Sequence, residues 1–170
     1  MNLGGGLNRP HPSETDPPSY LHWTTPPLPR DLDFVGPIEL QLDAACTAPD
    51  TAFIAVVQDV DEEENAVNIT SGYLRAGLRE VDEAASKPGA PVLPCRVFEP
   101  VPIAERVTYR IPLVPNARRF RAGHKLRLWV TTDDQNEDIP VPLEFRHASI
   151  GTNSFNTVFS SSRLLLPVLP

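Results

Sequence analysis

The sequence has little of what several protein classes require. Only two of its 170 residues are cysteines, Cys46 and Cys95, too few for a disulfide framework. A reducing compartment is the simpler expectation, and a Cys46–Cys95 bridge is the alternative. Basic residues number 15 against 22 acidic ones, so the formal charge is −7. Because a basic excess is needed to neutralise phosphates, this balance argues against nucleic acid and anionic membranes as partners.

Targeting and membrane-spanning segments are also missing from the sequence. No apolar run approaches the ~20 residues that cross a bilayer. The first residues have neither the basic start nor the apolar stretch of a secretion signal. We therefore expect a cytoplasmic protein without a membrane partner, and we interpret the Asn68-Ile69-Thr70 sequon as part of a strand.

Motifs for nucleophilic catalysis are absent as well. A serine hydrolase usually places its nucleophile in a G-x-S-x-G turn, and the sequence contains no such turn. The nearest approach is residues 147–151, where His147 replaces the first glycine and would crowd the turn around Ser149. We therefore predict no catalytic residue in this chain. The alternative is an independent enzyme with an unrecognised site.

Metal-ligand spacing is likewise missing. The four histidines, at positions 11, 22, 124 and 147, form no H-x-H, H-E-x-x-H or Cys-His pattern. Two acidic patches, residues 61–64 and 133–138, lack the regular spacing of a calcium loop, so we expect solvated loops there and keep structural calcium as the alternative. The sequence thus predicts no metal and no cofactor.

Proline, in contrast, is abundant. It occupies 20 of 170 positions, well above the usual share of about 5%. Each proline removes a backbone donor and disfavours helix interiors, which argues against a helical bundle. Many of the prolines fall within residues 1–30, and such a segment favours extended conformations. We predict an extended arm over residues 1–30 that carries Tyr20, Leu21 and Trp23 onto a neighbouring surface.

From Asp31 onward, apolar residues recur at every second position, which is the spacing of half-buried strands. About eight or nine strands are predicted, within residues 38–44, 52–57, 66–70, 73–79, 107–113, 126–130, 155–159 and 164–169. The acidic residues 61–65 are expected at a hairpin tip. The nearest helix candidate, residues 78–86, is ended early by Pro88 and Gly89. The pattern predicts an all-β domain over residues 31–170, a jelly-roll β-sandwich.

Trp129 raises the question of carbohydrate binding, because sugar rings stack on flat side chains. It alternates with Leu128 and Val130 and therefore lies on the face opposite the core. We expect both faces of this strand to be covered and Trp129 to be buried. An exposed aromatic surface would instead favour the alternative function, a carbohydrate-binding β-sandwich module.

Six blocks of sequence carry a family resemblance. They are Pro29–Pro37, Ala48–Phe53, Val57–Asp61, Asn68–Ala76, Arg119–Leu128 and Ser160–Pro167. These blocks resemble the C-terminal domain of the cocaine esterase and X-prolyl dipeptidyl peptidase family of serine hydrolases, and they follow one another in the same order as in that family. The resemblance covers roughly residues 29–170.

The resemblance implies a galactose-binding-domain-like jelly roll, in agreement with the periodicity. The family's catalytic Ser, Asp and His belong to an α/β-hydrolase domain. The resemblance implies that such a domain is the partner of this one, either within the same polypeptide or as a separate chain. The chain would then be a non-catalytic accessory domain of an X-Pro dipeptidyl-peptidase or acyl ester hydrolase. It would dock on the hydrolase domain and complete the wall of the substrate pocket. The family segment near that pocket aligns with residues 20–25, so Leu21 and Trp23 are the candidate pocket residues.

A proline-rich arm with large aromatic groups, on a domain without catalytic residues, also resembles a surface built for docking. A domain separated from its partner would expose an apolar patch of the kind that monomers rarely show. We therefore expect the isolated chain to form a homo-oligomer through its N-terminal arm.

Overall fold

Eight β-strands and one turn of 3₁₀ helix make up the regular structure of residues 20–132 and 154–170, which are the residues that the computed structural model describes. In chain order they are β1 (Tyr20–Thr24), β2 (Leu32–Cys46), β3 (Ala52–Val60), β4 (Ala66–Arg75), the 3₁₀ turn (Ala76–Leu78), β5 (Arg106–Phe120), β6 (Lys125–Thr131), β7 (Asn156–Val158) and β8 (Arg163–Leu165). The all-β sandwich predicted from the periodicity is confirmed.

All eight strands belong to one antiparallel sheet in the order β1-β6-β3-β4-β5-β2-β7, with β8 also paired to β2. Strands β4 and β5 share a single residue pair, Gly72 with Leu113. A Cβ atom at Gly72 would collide with the carbonyl oxygen of Pro112, so only glycine permits this approach. At this corner the sheet curls into two facing layers, β1-β6-β3-β4 and β5-β2 with β7 and β8.

The hydrophobic core fills the space between the layers. Alternate residues of each strand enter it, as expected for period-two sequences. Its buried members include Phe34, Ile38, Leu40 and Leu42 from β2, Phe53, Ala55 and Val57 from β3, and Tyr109, Ile111 and Leu113 from β5. The rings of Phe53 and Tyr109 meet across the layers, 5.0 Å between centroids. The strand pattern therefore positions one continuous core.

A bulge interrupts β5 after Leu113. Gly36 pairs with Asn116 but Ile38 pairs with Leu113, so Val114 and Pro115 oppose the single residue Pro37. The extra residue reverses which side chains face the core. Phe120 is therefore buried, and Arg118, which stands directly opposite Phe34, lies on the inner face.

The outer face of β2 carries two carboxylates held by arginines of β5. Glu39 is fully buried. Its carboxylate accepts hydrogen bonds from Arg110 Nε, at 2.6 Å, and from the Gly89 amide, at 3.1 Å. Arg110 also forms an ion pair with Glu83. The loop between β4 and β5 thus covers this face. Asp43 accepts hydrogen bonds from Ser161, Thr108 and Arg106, which lower its pKa to about 2.

The sandwich has two distinct ends. The first, named here the Thr51 end, contains the loop that joins β2 to β3, together with the last residues of β4 and β6. The second, named the His124 end, contains the β3–β4 and β5–β6 turns. The hairpin tip predicted at residues 61–65 lies there, with Asp61 accepting from the amides of Glu63 and Asn65. These bonds and the Asn65 side chain lower the pKa of Asp61.

Both cysteines are free, Cys46 buried and Cys95 exposed, so the alternative of a bridge is not realised. Among residues 20–132 and 154–170, no helix is long and apolar enough to cross a membrane.

Candidate functional site

Residues 20–28 of the predicted arm lie on the domain's own sheet. Strand β1 pairs antiparallel with β6 along its whole length, from Tyr20 opposite Thr131 to Thr24 opposite Arg127. The following residues continue the contact: the amides of Thr25 and Leu28 donate to the carbonyls of Leu126 and His124, at 2.9 and 2.8 Å. Backbone bonds therefore fix this segment in place.

The two candidate pocket residues, Leu21 and Trp23, share one face of β1. They stand directly opposite Val130 and Leu128, which pack in or against the core, and so they point to the inner side of their layer. Yet Leu21 is 36% exposed and Trp23 is 46% exposed, because β1 is the edge strand of its layer. The structure thus brings both side chains together as an apolar strip on a rigid backbone.

The other face of β1 covers Trp129. The rings of Tyr20 and His22 lie 4.5 and 5.0 Å from the Trp129 ring, and its indole N–H donates to Gln58 Oε1 at 2.7 Å. Trp129 is 9% exposed, so its predicted burial is confirmed. The Trp129 ring therefore has no exposed face on which a sugar ring could stack. Such a face was the feature that suggested carbohydrate binding as an alternative function.

A second group of exposed apolar side chains lies at the Thr51 end. Ile103 and Phe155 are each 60% exposed and flank the last residues of β2. The Ala104 amide donates to the Cys46 carbonyl at 2.8 Å, and the Thr47 amide donates to the Phe155 carbonyl at 3.1 Å. Their backbones are therefore tied down while their side chains face solvent.

Phe98, 46% exposed, lies at the same end of the sandwich and is held in place by contacts that begin at Asp50. The Asp50 carboxylate accepts from the Thr51 and Gly77 amides, each at 3.0 Å, and from Arg75 Nε at 2.7 Å. The Arg75 guanidinium lies over the Phe98 ring, 5.1 Å from its centroid. A Cβ atom at position 77 would collide with that ring, so the ring packs directly on the backbone of Gly77. We call Phe98, Ile103 and Phe155 the apolar patch.

The apolar patch was not predicted from the sequence. Phe98 and Ile103 lie in the irregular segment between β4 and β5, where no strand periodicity assigns their exposure. Phe155 begins the strand predicted at residues 155–159, but it directly precedes β7, and such a short strand does not determine which of its faces is exposed. The available signal was composition: large apolar residues within the proline-rich stretch 87–103.

The described residues contain no cluster of three or more His, Cys, Asp or Glu side chains that could hold a metal. Their buried carboxylates serve in ion pairs instead: Asp50 with Arg75, Asp43 with Arg106, and Asp59 with Arg118. The His124 ring also lies within hydrogen-bond distance of Asp59, at 2.8 Å. His22 contacts Trp129. His11, His147, Ser149 and the acidic patch 133–138 lie outside the described residues.

Known proteins resemble the whole length of this chain. A curated protein of Mycobacterium bovis, whose name proposes a serine esterase, is 25% identical over 99% of the chain, and a Mycobacterium tuberculosis protein of the same name matches equally. The chain spans only 27% of these relatives' length.

Two solved structures share the fold. A CocE/NonD family hydrolase from Staphylococcus aureus superposes with a TM-score of 0.75 at 18% identity, over 89% of this chain and 30% of that one. An alpha-amino acid ester hydrolase superposes with a TM-score of 0.66 at 19% identity, over 89% of this chain and 26% of that one. In each case the likeness is confined to about a quarter or a third of a larger enzyme.

Residues 7–144 match the family described as the X-Pro dipeptidyl-peptidase C-terminal non-catalytic domain. This match covers most of the chain and agrees with the all-β sandwich. The protein therefore belongs to the family of X-Pro dipeptidyl-peptidase C-terminal non-catalytic domains.

Proposed function

We propose that this domain docks on the α/β-hydrolase domain of a serine hydrolase and completes the wall of its substrate pocket. One observation carries the proposal: Leu21, Trp23 and the apolar patch are exposed on backbone that hydrogen bonds hold rigid. Large apolar side chains that are exposed on a fixed backbone are typical of a surface that another protein domain covers. The family membership and the length of the relatives support the same role.

The apolar patch is the proposed docking surface. Fully burying a side chain of the Phe or Ile type stabilises a contact by about 1.5–3 kcal/mol relative to leaving it exposed. Ile103 and Phe155, each 60% exposed, retain most of that potential, and Phe98, 46% exposed, retains nearly half of it. The half-exposed Arg75, whose guanidinium lies over the Phe98 ring, adds a polar group at the edge, as such interfaces carry.

Leu21 and Trp23 form the proposed pocket wall. An indole face beside a leucine fits an apolar substrate group, such as a prolyl ring or an acyl chain, without offering a proton or a nucleophile. Substrates of the X-Pro peptide or acyl ester type are therefore the proposed class. The names of the similar enzymes, a serine esterase and an alpha-amino acid ester hydrolase, are compatible with this class.

The docking proposal is tested by mixing the 170-residue chain with the α/β-hydrolase domain and measuring the affinity by calorimetry. Phe155→Asp should weaken the complex at least tenfold, because it places a charge in the apolar contact. Val114→Asp is the matched control: Val114 is 62% exposed but lies at the β5 bulge, away from the Thr51 end. Equal weakening by both variants, or none by Phe155→Asp, would contradict the proposal.

The pocket-wall proposal needs a kinetic readout on the assembled enzyme. Trp23→Ala should raise the KM for an apolar substrate more than it lowers kcat, since Trp23 would contact substrate but not the reacting atoms. The isolated chain should not hydrolyse a generic ester. Ester turnover that Ser149→Ala abolishes would overturn the non-catalytic role altogether.

The same surface leads us to propose self-association of the isolated chain. Because residues 20–28 lie on their own sheet, the exposed side chains of β1 and the apolar patch would make the contact. Light scattering should show an oligomer that Phe155→Asp dissociates, and a concentration-independent monomer would contradict this expectation.

A further inference from the structure

A basic cleft lies between the two layers at the His124 end, opposite the apolar patch. It encloses about 400 Å³ and is lined by Asp59, Ala117, Arg118, Arg119, Arg121 and His124. A volume of this order accommodates a small molecule. Three arginines in one concave site are notable in a chain whose formal charge is −7.

The fold builds this cleft from both layers. Asp59 follows Ala55 and Val57 on the inner face of β3 and is 4% exposed. Arg118 is turned to the inner face of β5 by the bulge at Val114 and Pro115. Arg118 donates to Asp59 Oδ2 at 2.8 Å, and His124 Nδ1 lies 2.8 Å from Asp59 Oδ1. The ion pair thus joins the layers where the hydrophobic core ends.

The charges of the cleft do not cancel. Asp59 balances Arg118, and Arg119 donates twice to Asp33, at 2.7 and 2.6 Å, which raises the pKa of Arg119 and lowers that of Asp33. The guanidinium of Arg121 has no hydrogen-bond or ion-pair partner in the described part of the chain. Arg118 commits only one nitrogen to Asp59, so further donors remain on it as well.

We propose that the basic cleft binds a small-molecule oxyanion, a carboxylate or a phosphate, through Arg121 and the free donors of Arg118. Planar guanidinium groups match the geometry of both anions and can bind them with two parallel hydrogen bonds. The Asp59–Arg118–His124 group holds Arg118 in position, while Arg121 supplies the uncompensated charge. This site is independent of the docking surface, because it lies at the other end of the sandwich.

The test uses the full 170-residue chain and inorganic phosphate as the probe, with calorimetry at low ionic strength. Arg121→Gln should weaken phosphate binding more than tenfold, and since the Arg121 side chain bonds to none of residues 20–132 and 154–170, the variant should remain folded. Arg96→Gln is the matched control: it removes the same charge from an exposed residue outside the cleft. Its affinity should stay within twofold of the unsubstituted chain.

Amide chemical shifts provide the second readout. Phosphate should move the signals of residues 118–124 and leave those of the apolar patch unchanged. Three results would overturn the proposal: no saturable binding at millimolar phosphate, equal weakening by Arg121→Gln and Arg96→Gln, or shifts spread over the whole surface.

Discussion

The two ends of the sandwich differ in how their side chains are satisfied. At the His124 end, the buried Asp59 and the partly exposed Asp33 are paired with arginines, whereas Arg121 has no side-chain partner in the described part of the chain. At the Thr51 end the backbone is equally well bonded, but Ile103 and Phe155 are left in solvent. The comparison teaches that rigidity and completeness are separate properties: both ends have a well-bonded backbone, but the first leaves a charge without a partner and the second leaves large apolar side chains uncovered.

The largest expected effect comes from breaking the ion pair between Arg118 and Asp59 at the His124 end. Arg118→Met leaves the Asp59 carboxylate, 4% exposed, with the His124 ring as its remaining side-chain partner among the described residues. The free energy of unfolding should fall by about 3 kcal/mol, the lower end for a broken buried pair, because one partner remains. Urea denaturation measures the change.

The control for this change is Arg121→Met in the same cleft. Its side chain has no bonding partner in the described part of the chain, so the free energy of unfolding should stay within about 0.5 kcal/mol of the original. Equal losses in the two variants would show that the pairing with Asp59 does not stabilise this end.

A smaller change in the free energy of unfolding, of opposite sign, is expected for a substitution in the core beneath the Thr51 end. Tyr109 is fully buried, burial raises its pKa to about 12, and its hydroxyl has no hydrogen-bond partner among the described residues. Removing an unsatisfied buried group relieves part of its desolvation cost, so Tyr109→Phe should raise the free energy of unfolding by about 1–2 kcal/mol. Thermal and urea unfolding of the variant measure this gain, and a loss of stability would show that the hydroxyl is satisfied.

The smallest expected effect is on the pH dependence of the free energy of unfolding. The pKa of Asp43 is lowered from 3.8 to about 2 by its bonds to Ser161, Thr108 and Arg106. Because the folded-state pKa is the lower one, the stabilisation is complete above about pH 4 and is lost as the pH falls towards 2. Because solvent screens the half-exposed Arg106, we expect these bonds to contribute about 1 kcal/mol to the free energy of unfolding at neutral pH.

Asp43→Asn should remove this stabilisation and flatten the stability profile between pH 4 and 2. Asp33→Asn at the His124 end is the comparison variant, since the pKa of Asp33 is also lowered, by Arg119. An acid profile identical in the original chain and in Asp43→Asn would contradict the assignment.

Much of the fold follows from local sequence. The alternation in β2 and the first half of β5, and the continuous apolar run in β3, are local properties, and they predicted the core. The acidic residues 61–65 predicted the hairpin tip, and the alternation around Trp129 predicted that it lies opposite the core. The family resemblance pointed to Leu21 and Trp23, which the structure places together on one exposed face.

Other features depend on contacts between residues far apart in the chain. The bulge at Val114 and Pro115 reverses the inner and outer faces, so counting by two from Leu113 would point Arg118 outward. The group formed by Asp59, Arg118 and His124 joins residues up to 65 positions apart. The exposure of Phe98 and Ile103 depends on an irregular loop. None of these can be derived from a local pattern.

The corner at Gly72 has a mechanical consequence. Among the described residues, Gly72 and Leu113 form the one ladder pair between β4 and β5, so the backbone of the two layers approaches most closely at this point. Leu21 and Trp23 belong to one layer, whereas Ile103 and Phe155 are attached to the other. A side chain at position 72 would collide with the backbone of Pro112 and Leu113, and it would therefore change the separation between these two exposed apolar groups.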